Sequence, residues 1–133
     1  LSLEPGQSHK ADAQHTETRT AGEALSAGDA VALDSNGELV TADGTDDPTV
    51  YGVVGYNGGN GYAAGDDALV TYSGPVVANV AADVGPGVEL GASATEGELA
   101  AGTSAKGIMT MYGEGAAPAG IPAVDDGFAH VNL

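Results

Sequence analysis

The sequence predicts an all-β fold, a small antiparallel β-barrel or sandwich with an extended N-terminal arm. Two observations carry that expectation. Short runs of β-forming residues recur at close spacing and are separated by Gly, Asp, Asn and Pro. Helix-compatible stretches are brief, because Gly and β-branched residues interrupt each of them; only Ala21 to Ser26 and Ala81 to Val84 could form a turn of helix. The 133 residues suffice for one domain with one core. With one Phe, five Tyr and no Trp, that core is expected to consist of small side chains, and assembly or docking would help the fold.

Residues 1 to 22, LSLEPGQSHKADAQHTETRTAG, show neither helical nor strand periodicity and read as an extended arm; residues 23–133 read as the β-barrel domain. Strands are expected near 29–34, 38–42, 49–55, 67–73, 75–82, 87–91, 97–100, 106–112 and 127–133. Asp34-Ser35-Asn36-Gly37 places Asn-Gly between Val31/Leu33 and Leu39, a tight-hairpin signal. Pro75, which lacks an amide hydrogen, should start a strand or lie at a sheet edge after Ser73-Gly74. In the last strand, alternation sets Phe128, His130 and Asn132 on one face and Ala129, Val131 and Leu133 on the other.

A weak internal repeat is visible. Gly28-Asp-Ala-Val31-Ala-Leu33 aligns with Gly85-Pro-Gly-Val88-Glu-Leu90, Gly37-Glu-Leu39 with Gly97-Glu-Leu99, and Gly52-Val53-Val54 with Gly107-Ile108-Met109. It reads either as two copies of a hairpin-plus-strand unit or as the chance self-similarity of a Gly-rich β chain.

Charge is distributed unevenly. The chain has 19 acidic and three basic side chains, and its formal net charge is −16. From Ala21 onward, 16 carboxylates face Lys106 alone, a formal −15, whereas residues 1 to 20 carry three acids, Lys10 and Arg19, a formal −1. Such self-repulsion points to a salt-rich environment, since at about 1 M salt the Debye length is only about 3 Å. Nucleic acid is an unsuitable partner, because its binding rests on Lys and Arg neutralising phosphates. No apolar run approaches the roughly 20 residues of a membrane helix, so a soluble chain is expected. Without Cys, neither disulfides nor thiolate metal sites can form.

Chemical motifs are sparse. GYNGGNGYAAG at 55–65 lacks the Gly-Lys-Ser/Thr and the following helix of a phosphate loop, and reads as a flexible loop or hairpin tip. Tyr56 and Tyr62 beside it are either contact residues or ring packing at a barrel end. Asp43-Gly44-Thr45-Asp46-Asp47 and Asp125-Asp126-Gly127 do not match an EF-hand loop; they are solvated acidic loops or sites for calcium or magnesium. No hydrolase elbow or zinc-protease motif is present, so no catalytic, cofactor or metal residue is assigned and an enzyme is not expected.

The stretch from Gly28 to Leu133 resembles the capsid decoration, or cement, proteins of tailed double-stranded DNA viruses. The elements that carry the resemblance are GDAV at 28–31, YGVVG at 51–55, SGPVVANV at 73–80, GPGVEL at 85–90, KGIM at 106–109 and the terminal FAHVNL. The resemblance implies a structural protein on the outer surface of the virion, bound to the major capsid protein, often as a trimer, and clamping the shell against internal DNA pressure. Joined to the acidic composition, it implies a virus of a salt-loving archaeal host. In similar proteins an N-terminal arm adds a strand to the shell, which nominates Leu1, Leu3, His9, Lys10, His15 and Arg19 as the capsid-binding arm. A floppy terminus without a partner is the other reading of the arm. The other reading of the whole chain is a cell-surface or adhesin-type β module of a halophile that binds carbohydrate or a divalent cation. No Asn-x-Ser/Thr sequon accompanies it.

Overall fold

The structure is a computed structural model that describes residues 2–8, 13–81, 84, 87–102, 108–109, 123–124 and 128–133. Their regular elements are twelve short strands. These are β1 (Ser2–Leu3), β2 (His15–Thr20), β3 (Ala30–Leu33), β4 (Leu39–Thr41), β5 (Gly52–Val54) and β6 (Asp67–Ser73). They continue with β7 (Pro75–Asn79), β8 (Leu90–Ala92), β9 (Leu99–Ala101), β10 (Ile108–Met109), β11 (Ala123–Val124) and β12 (Phe128–Asn132). A five-stranded sheet has the order β2-β6-β5-β3-β4, a three-stranded sheet the order β10-β12-β7, and β1-β11 and β8-β9 are two-stranded. Every pair is antiparallel except β1 with β11.

The architecture is sandwich-like. One core lies between the five-stranded sheet (Ala30, Ala32, Val53), the three-stranded sheet (Val76, Ala78, Ala129, Val131) and the β8-β9 hairpin (Leu90, Leu99). The opposite face of the five-stranded sheet carries a second cluster of Val31, Leu39, Val54, Ala68 and Val70, covered by Ala21 and Leu25. Adjacent residues of β3 and β5 therefore serve different cores, and these central strands read as unbroken apolar runs instead of alternating ones. A parallel bridge between Ala21 and Leu39, with the Gly22 N–H donating to the Leu39 carbonyl at 2.7 Å, draws the sheet's two edges together without closing a barrel.

Several expectations are corrected. The segment 15–20, expected to be arm, is an edge strand paired with β6 from His15↔Ser73 to Thr20↔Asp67. HTETRT has no apolar alternation to mark it as a strand: its partners on β6 supply the buried side chains. Residues 21–26 form no helical turn, because Leu25 exchanges two backbone hydrogen bonds with Tyr62, at 2.9 and 2.8 Å. The same bridge anchors the glycine-rich loop, which is thus tied to the body. The Asn36-Gly37 hairpin forms, but with a wider turn than expected. No non-glycine residue among those described has positive φ, and the Asp34 carboxylate organises the turn by accepting the Asn36 and Glu38 N–H groups at 2.8 and 3.0 Å.

The repeat is half real. Both hairpins end in Gly-Glu-Leu, with Gly37 and Gly97 each at φ +77° and Leu39 and Leu99 each fully buried. The third elements differ, since β5 pairs with β3 whereas β10 pairs with β12. Expected strand residues 82, 106–107, 110–112 and 127 lie outside the described residues.

The GDAV segment joins the sheets. Gly28 donates to the Val54 carbonyl at 2.8 Å and accepts from the Asn79 N–H at 2.9 Å; the Asp29 carbonyl accepts from Val54 at 2.9 Å, and Ala30 donates to Gly97 at 2.8 Å. One tetrapeptide thereby links β5, β7 and the β8-β9 turn.

Candidate docking surface

Of the residues expected to form the capsid-binding arm, Leu1, His9 and Lys10 lie outside the described residues. Leu3 is half-buried in β1, opposite Val124. His15 and Arg19 stand on β2, so the structure places them on the five-stranded sheet, apart from Leu3.

Residues directly opposite one another in an antiparallel pair share a face. Glu17 is opposite Val70 and Arg19 opposite Ala68, so both side chains lie on the face of the second core cluster. There Arg19 Nε donates to Glu17 Oε1 at 2.7 Å, its Nη1 donates to the Gly37 carbonyl at 3.1 Å, and its guanidinium lies 5.1 Å from the Tyr51 ring centroid. The Tyr51 hydroxyl donates to the Glu17 carboxylate. Tyr51 stacks on Tyr72 at 6.2 Å and 26°, and His15 meets Tyr72 edge-on at 6.3 Å. The result is a continuous row, His15–Tyr72–Tyr51–Arg19–Glu17, in which Arg19 is the only Lys or Arg among the described residues.

Electrostatics follow from these contacts. The Tyr51 hydrogen bond, then the Arg19 ion pair, hold the Glu17 carboxyl below its ordinary value. Glu17, then Tyr51, raise the Arg19 guanidinium. Partial burial, then the Glu17 carboxylate, raise the Tyr51 phenol. The row thus pairs its one cation with a carboxylate and is lined by rings on a strongly acidic protein, a composition suited to protein contact. Tyr51, Tyr72 and Glu17 were not anticipated. Alternation along Ala68, Val70 and Tyr72 would have put Tyr72 on this face, whereas Tyr51 joins it only through tertiary packing.

Two other features lie at the surface. An open cleft of about 460 Å³ lies between Glu4, Pro5, Leu25, Tyr56, Asn60 and Tyr62, so both tyrosines beside the glycine-rich loop are half-buried in its wall. The acidic loop at 43–47 closes on itself: Asp43 and Asp47 exchange backbone hydrogen bonds at 2.9 and 3.1 Å, and Asp43 Oδ1 accepts the Thr45 N–H at 2.8 Å. Among the described residues no three His, Asp or Glu side chains gather as a ligand set; Asp125 and Asp126 lie outside them. His130 sits on β12 opposite Val77.

No family model matches the chain, and no curated protein matches it. A chain from a solved structure described as "The capsid of Myoviridae Phage XM1" is similar in fold, with a TM-score of 0.58 and 16% sequence identity; the match covers 98% of this chain and 89% of that one. The likeness therefore extends over nearly the whole chain, and at this identity it is a likeness of fold.

Proposed function

We propose that this chain is a structural, non-enzymatic protein of a viral capsid, which decorates the outer surface of the virion by binding the major capsid protein and stabilises the shell. The single observation that carries the proposal is the likeness of fold, over 98% of the chain, to a chain from a phage capsid structure. Charge placement supports the decorating role: the formal −15 after residue 20 suits a body that faces brine, and the near-neutral N-terminal segment can approach an acidic shell with little repulsion. The trimeric state and the salt-loving host belong to the same reading.

The docking element is best assigned to the N-terminal segment before β2, because β2 itself belongs to the five-stranded sheet. Deleting residues 1–8 removes β1 and takes away no residue of β2 or of either core cluster. The truncated protein should keep its far-ultraviolet circular dichroism and cooperative melting, yet lose occupancy on shells stripped of it. Full-stoichiometry binding by the truncated protein would refute the assignment.

A further inference from the structure

We propose that Glu4-Pro5-Gly6-Gln7 is a latch that holds the N-terminal strand against the body in the position needed for docking, with Pro5 and Gly6 as positioning residues. The inference rests on the docking role proposed for the N-terminal segment and adds how that segment is held.

The four residues form a closed turn. The Gln7 N–H donates to the Glu4 carbonyl at 3.1 Å, and Gln7 Oε1 accepts the Glu4 N–H at 2.9 Å. Pro5 presets its own φ, and Gly6 has φ +83°, the combination of a type II turn. The turn is seated by contacts that leave no room for a larger residue. Gly6 is buried, donates to the Val77 carbonyl at 2.8 Å, and is followed by Gln7, whose carbonyl accepts the Val77 N–H at 2.8 Å. The two residues thereby use both backbone groups that Val77 turns away from β12.

On the other side of Gly6 the fit is tighter still. A Cβ there would stand 2.6 Å from the Tyr56 nitrogen and the Val54 carbonyl oxygen, both backbone atoms that cannot swing away. Pro5 is matched in the same way: a Cβ on Gly28 would lie 2.7 Å from Pro5 Cβ and 3.0 Å from Phe128 Cε1. Gly28 is the residue at which β5 and β7 are tied together. The latch is therefore seated on the joint between the sheets, and the missing side chain of Gly28 is what admits it.

From this seat the chain runs back to β1, where Ser2↔Ala123 and Leu3↔Val124 form a parallel pair in a sheet of two strands. Without the turn, two residues of parallel pairing would have little to hold them, since hydrogen-bonded pairs this short are marginal alone. The latch thus converts a terminal segment into an element with a defined position.

The test is Gly6→Val in the full chain, with deletion of residues 1–8 as the reference for a segment that is absent. Amide exchange by NMR reads the latch directly: the Val77 N–H should exchange at least tenfold faster in the variant, while the Ala78 N–H, opposite Ala129, should stay unchanged. Shell occupancy should fall to that of the deletion. Unchanged Val77 exchange would overturn the latch. Faster exchange with full occupancy would overturn its positioning role. If the unaltered protein does not bind shells at all, the docking reading fails, and the exchange comparison still decides whether the turn is a latch.

Discussion

Leu99→Ala is the substitution that most directly examines the packing between the sheets. Leu99 is fully buried at the start of β9, inside the core shared by both larger sheets, and its carbonyl accepts the Ala81 N–H at 2.8 Å. Truncation removes three carbon groups, worth about 2.4 kcal/mol at roughly 0.8 kcal/mol each. The void adds to this, because a core of Val and Ala has few long side chains that can move into it, and the total becomes about 3–4 kcal/mol. For a chain of this length that is a drop in melting temperature of roughly 10–20 °C. Leu33→Ala is the paired control: Leu33 is 36% exposed at the end of β3, and its loss should cost under about 1 kcal/mol. Urea unfolding followed by circular dichroism measures both. Equal effects, or a loss below about 1 kcal/mol for Leu99→Ala, would refute the placement of β8-β9 over the core.

Three further outcomes are expected. Gly28→Ala should destabilise by about 2 kcal/mol or more, since the residue has φ +89° and the new methyl meets Pro5 and Phe128; thermal melting within a degree of the parent would contradict the joint described for GDAV. Burial, opposed by a hydrogen bond from the Ser26 N–H and reinforced by Glu23, raises the Asp29 carboxyl above its ordinary value. The native state therefore favours the protonated acid, and stability falls as pH rises through that raised value; Asp29→Asn should escape the loss, gain on the parent at neutral pH and converge with it near pH 3. Finally, the formal charge of −16 predicts a melting temperature that climbs between about 0.1 and 2 M KCl as the Debye length shrinks from about 10 Å; a flat profile would refute the salt-rich environment.

Much of the fold was legible because turn residues and apolar runs alternate clearly. Strand β6 spans the expected residues 67–73, and Pro75 begins β7 as its missing amide hydrogen requires. What escaped was structure made from polar residues. Strand β2 contributes Thr, Glu and Arg to a sheet whose other strands supply the apolar side chains, so no periodicity marks it. The ring-lined row likewise depends on Tyr51, placed beside Arg19 only by the β3-β5-β6-β2 pairing. The Pro5-Gly6 turn lies inside the segment read as an extended arm, and only the tertiary structure reveals that it is seated against Val77 and Gly28.

Docking on a shell is decided by electron cryo-microscopy of shells incubated with the full chain and with the chain lacking residues 1–8. The full chain should give sandwich-shaped density on the outer surface, with the N-terminal strand meeting the major capsid protein, and the truncated chain should leave the shells bare. Shells left bare by the full chain, or decorated equally by both, would contradict it.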